Sequence, residues 1–79
     1  MAVKASFDRK AVEITWDTHA VKGRKVRIKT SNGGDVSGRD DVKNDGKATL
    51  TFPSDFTGST HVVVEGAGDS KDEGTIEVK

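Results

Sequence analysis

The 79-residue chain contains no cysteine, which excludes a disulfide framework and every thiolate metal site. No uninterrupted apolar run exceeds three residues, as in Val62–Val64, so the sequence contains no membrane-spanning helix. The first residues, Met1–Ser6, also lack the apolar core of a signal peptide. We therefore expect a protein that has no membrane partner and is made and folded in the cytoplasm.

The chain is also short and poor in aromatic residues, with three phenylalanines, one tryptophan and no tyrosine. A chain of this length builds one compact domain with a small core, so we predict a single domain over residues 1–79. That size excludes most enzyme scaffolds. No segment shows the i, i+3, i+4, i+7 apolar spacing of a helix long enough to contribute to a core.

Six segments instead alternate apolar and polar residues, which is the pattern of half-buried β-strands. Pro53, the only proline, ends one of these runs because it cannot donate a hydrogen bond to a ladder. One face of each predicted strand points into the core. The predicted inward residues are Val3, Ala5, Phe7, Val12, Ile14, Trp16, Val26, Ile28, Ala48, Leu50, Phe52, Val62, Val64, Ile76 and Val78.

The breaks between these runs have the composition of turns. Asn32–Asp35 and Asn44–Gly46 offer the positive-φ positions that tight turns need, and Gly66–Ser70 is predicted as a flexible loop before the last strand. The segment from 36 to 43 contains only two apolar residues. We interpret it as a short edge strand or an irregular crossover.

Short strands separated by turn signals predict an all-β fold. Six strands and a weak seventh indicate a small immunoglobulin-like antiparallel β-sandwich of about seven short strands. A small barrel of the OB or cold-shock type is the competing architecture. The sandwich is favoured because a nucleic-acid-binding barrel displays aromatic residues on adjacent strands, whereas Phe7, Trp16 and Phe52 all fall on predicted inward positions.

The net charge is zero, with 13 basic and 13 acidic side chains, but the two signs are unevenly distributed. Residues 1–31 carry eight basic and three acidic side chains, a balance of +5, and residues 32–79 therefore carry −5. Such a division favours electrostatic docking between copies of the chain or onto a larger partner. It disfavours general nucleic-acid binding, for which a net basic domain is expected.

Basic residues are concentrated between Lys22 and Lys29, and three of them fall on the outward face of a predicted strand. We name this set, Lys25, Arg27 and Lys29, the basic strip and predict it, together with Val63, as the candidate partner-docking surface. Ordinary solubilising charge is the alternative interpretation, and nucleic acid is disfavoured because no aromatic residue lies among the cations. Val63 is apolar on an outward position, and only a neighbouring apolar cluster would make it part of an interface.

No catalytic, cofactor or metal site is predicted. His19 and His61 have no neighbour at metal-ligand or triad spacing, so both are interpreted as solvated side chains. The acidic turn at 40–46 fails as a calcium loop because Lys43 occupies a ligand position, and an Asx-rich turn is the better interpretation. The acidic segment 69–73 leaves weak cation binding open, although a solvated loop is favoured.

A set of segments that covers nearly the whole chain carries a family resemblance. A D-G turn leads an alternating strand, a glycine precedes the next strand, and that strand ends in V-x-V-x-G. The segments are Val12–Trp16, Lys25–Ile28, Asn44–Pro53, Phe56–Gly58, Val62–Gly66 and Asp72–Val78. The chain resembles bacterial and phage Ig-like domains, and in particular the small Ig-like head decoration proteins of tailed phages that infect actinobacteria. Thr60 departs from the family, which often has tyrosine there, so a different corner packing is expected.

The resemblance implies a non-enzymatic virion protein that binds the outside of the capsid and decorates or stabilises the head. Its partner would be the major capsid protein, with homo-oligomers or contacts between copies on the shell. No cofactor, nucleic acid or membrane is implied, and no catalytic residue is carried over. The alternative is an Ig-like surface or tail-fibre adhesion module that binds carbohydrate or a host receptor through exposed aromatic rings. A small nucleic-acid-binding β-barrel is the third possibility.

Overall fold

The computed structural model describes residues 3–5, 10–33 and 36–78, and within them it contains β-strands and no α-helix. The all-β prediction is confirmed. Phe7, Gly34 and Asp35 lie outside the described residues, and for Val3–Ala5 only the strand pairing is described. The strands are β1 (Val3–Ala5), β2 (Ala11–Thr15), β3 (Lys25–Thr30), β4 (Val42–Lys43), β5 (Lys47–Thr51), β6 (Gly58–Glu65) and β7 (Lys71–Val78).

The strands form two antiparallel sheets. One has three strands in the order β1-β2-β5, and the other has four in the order β4-β3-β6-β7. Val12 of β2 pairs with Leu50 of β5 in the first sheet, and Ile28 of β3 pairs with Val64 of β6 in the second. Because directly paired residues point to the same face, each sheet gathers its apolar residues on one side.

Apolar side chains from both sheets form one buried core cluster. Two antiparallel sheets around a shared core are compatible with a small β-sandwich, and each fully buried aliphatic side chain contributes about 1.5–3 kcal/mol. Within the described side chains, the predicted inward residues all belong to this core except Ala48, which is half-buried and packs against it. The core consists of Val12, Ile14, Trp16, Val21, Val26, Ile28, Val36, Leu50, Phe52, Val62, Val64, Ile76 and Val78.

Two core residues lie outside both the strands and the alternating runs of the sequence. Val21, in the connection between β2 and β3, is completely buried although no alternating run includes it. Val36 begins the segment predicted as an edge strand or an irregular crossover, and this segment contains both. Ser37 forms a bridge to Thr51 of the three-stranded sheet, whereas β4 lies at the edge of the four-stranded sheet. The segment therefore crosses from one sheet to the other.

Thr60 is the one buried polar side chain within the described residues, and its hydroxyl is satisfied. The Oγ1 atom accepts a hydrogen bond from the backbone N–H of Asn32 at 3.1 Å. Thr60 thus connects β6 to the chain that follows β3.

Candidate functional site

The candidate docking surface is the outward face of the four-stranded sheet, and alternation in β3 creates its first row. Val26 and Ile28 are buried in the core. Their neighbours Lys25, Arg27 and Lys29, the basic strip, consequently point away from the core and are exposed. The structure therefore places the strip on one face, as the alternation predicted.

Val63 lies on the same face, beside the strip. It pairs with Lys29 of β3 on one side and with Glu73 of β7 on the other. Cross-strand partners point to the same face, so the half-buried Val63 stands between two charged side chains. Among the described residues of this face no second apolar side chain joins it. The apolar cluster that would make Val63 part of a hydrophobic interface is therefore not present in the described surface.

Each cation of the basic strip has a carboxylate partner within the chain. The six side chains remain at least 40% exposed, so the pairs are solvated. Exposed ion pairs contribute about 0.2–1 kcal/mol each and weaken with salt, so an external partner can replace them at little cost. The pairs are Lys25 Nζ–Asp41 Oδ1 (3.0 Å), Arg27 Nε–Asp40 Oδ1 (3.9 Å) and Lys29 Nζ–Glu65 Oε1 (2.8 Å).

This pairing gives the outward face a mixed charge. The strip belongs to the basic part of the chain, whereas Asp40, Asp41 and Glu65 belong to the acidic part. Folding brings the two parts together on one face, so opposite charges meet within a single copy. The surface is mixed in sign, and a partner that binds here has to present both signs or displace the internal carboxylates.

Strand β7 extends the face with a second charged row. Lys71, Glu73, Thr75 and Glu77 are all exposed. Glu73 lies 3.5 Å from Lys71 Nζ and 3.8 Å from His61 Nε2, and His61 Nδ1 lies 3.4 Å from Thr75 Oγ1. His61 is about half exposed, as expected for an outward side chain, and its ring connects β6 to the acidic row.

Glu65 responds electrostatically to the basic strip. The hydrogen bond from Lys29 lowers the pKa of the Glu65 carboxyl, and the charges of Lys29, Arg27 and Lys71 act in the same direction against a smaller opposing effect of desolvation. Because the folded-state pKa lies below its ordinary value, the interaction stabilises the fold above the ordinary pKa. This contribution is lost as the pH falls through the folded-state pKa.

Replacing Lys29 with methionine should raise the pKa of Glu65 towards its ordinary value, since the hydrogen bond and the nearest charge are both removed. The measurement is an NMR titration of the Glu65 carboxyl carbon between acid and neutral pH. Lys25→Met is the matched control because Lys25 pairs with Asp41 and does not contact Glu65. Equal Glu65 titration curves in the two variants would contradict the assignment of the shift to Lys29.

His19 stays at the surface next to Asp17, and its side chain is 96% exposed. Its backbone N–H donates to Asp17 Oδ1 at 2.8 Å, and its ring Nδ1 lies 3.2 Å from the same oxygen. The backbone hydrogen bond is the main cause that lowers the pKa of the Asp17 carboxyl. The contacts are local turn contacts, consistent with a solvated histidine.

Two further acidic side chains, Asp72 in β7 and Asp45 in the β4–β5 turn, also accept hydrogen bonds from backbone. Asp72 Oδ2 accepts from the N–H of Asp17 at 3.2 Å, and Asp72 Oδ1 accepts from the N–H of Glu73 at 2.9 Å. Asp45 Oδ1 accepts from the N–H of Lys47 at 3.3 Å, as in an Asx turn. Over residues 10–33 and 36–78, no group of three His, Cys, Asp or Glu side chains is placed to hold a metal ion.

Asn44 has a structural role that sequence reasoning missed. Its side-chain amide donates to the carbonyl oxygens of Val21 (2.8 Å) and Gly23 (2.9 Å), and its Oδ1 accepts from Trp16 Nε1 at 2.7 Å. The side chain therefore joins the β4–β5 turn to both ends of the β2–β3 connection. In the sequence Asn44 is one of several Asx residues in a turn, and no local signal separates it from Asp45.

The aromatic rings with described side chains are not displayed on either sheet. Trp16 and Phe52 are buried, and the half-buried Phe56 stacks on Phe52 with ring centroids 5.3 Å apart. Carbohydrate and single-stranded nucleic acid are bound largely by exposed rings, so the described surface offers these alternatives no support.

Comparison of this chain with protein-family models, with curated proteins and with solved structures found no match. Within the described residues, no helix has the length and apolar character needed to cross a membrane.

Proposed function

We propose that this protein is a small Ig-like head decoration protein, a non-enzymatic virion component that binds the outside of a phage capsid. The strand order supports the Ig-like part of the proposal. In Ig-like sandwiches the second strand pairs with the fifth, while the third, sixth and seventh share the other sheet. The chain has these pairings, and β4 lies beside β3 in the position of the additional strand of variable-type domains.

The observation that carries the docking part of the proposal is the outward face of the four-stranded sheet. It displays the basic strip, and each cation of the strip pairs with a carboxylate that is exposed to solvent. Such pairs can be exchanged for carboxylates of the major capsid protein without burying an unpaired charge. A domain of this size buries little surface per contact, so binding depends on many equivalent sites on the shell.

Mixing the purified protein with head shells of the major capsid protein that lack it should give co-sedimentation. Lys29→Glu should weaken this binding about tenfold, since it reverses one charge of the strip and places two carboxylates side by side. Lys47→Glu is the matched control, because Lys47 is exposed on β5 of the other sheet. The readout is the protein concentration that half-saturates the pelleted shells at moderate salt.

Two results would count against this function. If the wild-type protein stays in the supernatant at every concentration, the capsid assignment is wrong. If Lys47→Glu weakens binding as much as Lys29→Glu, the capsid contacts a different face from the one proposed.

A further inference from the structure

Strand β7 forms one edge of the four-stranded sheet, and its backbone is regular. Every residue of β7 pairs in turn with a residue of β6, so the ladder contains no bulge. Within residues 3–5, 10–33 and 36–78, no strand pairs with the other side of β7. The strand is eight residues long and contains no proline. A long, regular edge of this kind is a template for pairing with another chain.

Two backbone hydrogen bonds show which groups of β7 point to this open edge. Gly66 N donates to Ser70 O at 2.9 Å in the β6–β7 hairpin, and Ser31 N donates to His61 O at 3.0 Å on the opposite side of β6. In an antiparallel strand, successive residues direct N–H and C=O to opposite sides. The backbone N–H and C=O groups of the even-numbered residues of β7 therefore bond to β6. Those of the odd-numbered residues point to the open edge. These are Lys71, Glu73, Thr75 and Glu77.

A second copy of the chain can pair with this edge about a twofold axis, which is the commonest symmetry of protein dimers. Only the odd-numbered residues can form hydrogen-bonded pairs with the second copy. The registers near the middle of the strand are therefore those in which the twofold axis passes through Glu73, Gly74 or Thr75. An axis through Glu73 places its carboxylate opposite the Glu73 carboxylate of the second copy. Centring on Thr75 places Glu73 opposite Glu77 of the second copy. Both registers bring like charges together, which destabilises a ladder.

The register centred on Gly74 avoids these repulsions. It places Lys71 opposite Glu77 of the second copy on both sides of the axis, and Glu73 opposite Thr75. All four residues whose backbone groups point to the open edge then form hydrogen-bonded pairs with the second copy. Gly74 lies on the axis, where Cα atoms of non-hydrogen-bonded partners approach to about 4.5 Å, and it has no side chain to obstruct the contact.

We propose that two copies of this chain form a dimer by antiparallel pairing of β7 with β7, centred on Gly74. The two four-stranded sheets then join into one continuous sheet, and their outward faces become a single surface that displays two basic strips. Such a dimer is a bivalent ligand for any repeated partner. Dimerisation depends on the chain alone, so it can be tested independently of capsid binding.

Sedimentation equilibrium of the purified protein should reveal a concentration-dependent dimer. Thr75→Pro should leave only monomer, because it removes a backbone N–H that points to the open edge and bonds to the second copy. The fold of the monomer should persist, since an edge strand tolerates a proline at such a position. The circular dichroism spectrum should stay that of the wild type. A wild-type protein that remains monomeric up to about 1 mM, or a folded Thr75→Pro variant that still dimerises, would overturn the proposal.

A charge exchange tests the register and does not depend on the proline variant. Lys71→Glu and Glu77→Lys, made singly, each place like charges opposite one another twice in the dimer. Each should raise the dimer Kd at least about tenfold. The double variant restores opposite charges and should recover a Kd within about threefold of the wild type. Single variants that dimerise normally, or a double variant no better than either one, would exclude this register.

Discussion

Replacing Gly66 with alanine should destabilise the fold by about 4 kcal/mol, the combined cost of an overpacked contact and of broken hydrogen bonds. A Cβ at this position overlaps the backbone oxygen of Lys22 and lies 2.7 Å from Val21 Cγ1. The Lys22 backbone is held there, since its oxygen accepts from Ala67 N at 2.6 Å and its N–H donates to Ser70 Oγ at 3.0 Å. Alanine therefore has to push a core segment away from the β6–β7 hairpin.

Thermal unfolding checks this expectation, and the midpoint should fall by roughly 15–30 °C for a domain of this size. Gly68→Ala is the control in the same hairpin. Its Cβ enters open space, and only its left-handed φ of +65° penalises alanine, by about 1–2 kcal/mol. If the two variants lose equal stability, close packing between Gly66 and the 21–22 segment is not the reason that Gly66→Ala destabilises the fold.

The alternating runs were sufficient to predict the strand faces, because a period of two is a local property of the chain. Val12, Ile14, Val26 and Ile28 are buried where that period places them. Val21 was missed because it stands alone in a polar connection. Its burial depends on contacts from the β4–β5 turn and the β6–β7 hairpin, which are distant in the sequence.

For the candidate site, the sequence was sufficient to predict which side chains share a face but not what neutralises them. The position of Lys29 opposite Val63 follows from the pairing of β3 with β6. The carboxylate of Asp41 reaches Lys25 only because β4 joins the same sheet, and this two-residue strand has no clear pattern of its own. Charge counts along the chain therefore overstate how basic the folded surface is.

Asn44→Ala should cost about 3 kcal/mol, because three side-chain hydrogen bonds disappear and two of the partners left unpaired belong to the buried residues Trp16 and Val21. The bond from Trp16 Nε1 spans 28 residues, so no local rearrangement replaces it. Trp16 and Val21 are nearly or fully buried, which limits access of water to the freed groups. Urea unfolding measures the loss. Asp45→Ala, which removes one exposed turn contact, is the neighbouring control and should cost less than about 1 kcal/mol.

Asn44→Asp separates the roles of the amide donors and the acceptor. Aspartate still accepts from Trp16 Nε1, but it turns a carboxylate oxygen towards the carbonyls of Val21 and Gly23, so it should be at least as harmful as alanine. A variant close to wild type would show that the amide donors contribute little.

The Asn44 and Gly66 changes should also be coupled. Asn44 holds the 21–23 segment from one side and the Gly66 hairpin holds it from the other. Once either contact is lost, this segment is already displaced. The double variant Asn44→Ala/Gly66→Ala should therefore lose less stability than the sum of the two single variants, by at least about 0.5 kcal/mol. Strict additivity would mean that the two loops are held independently.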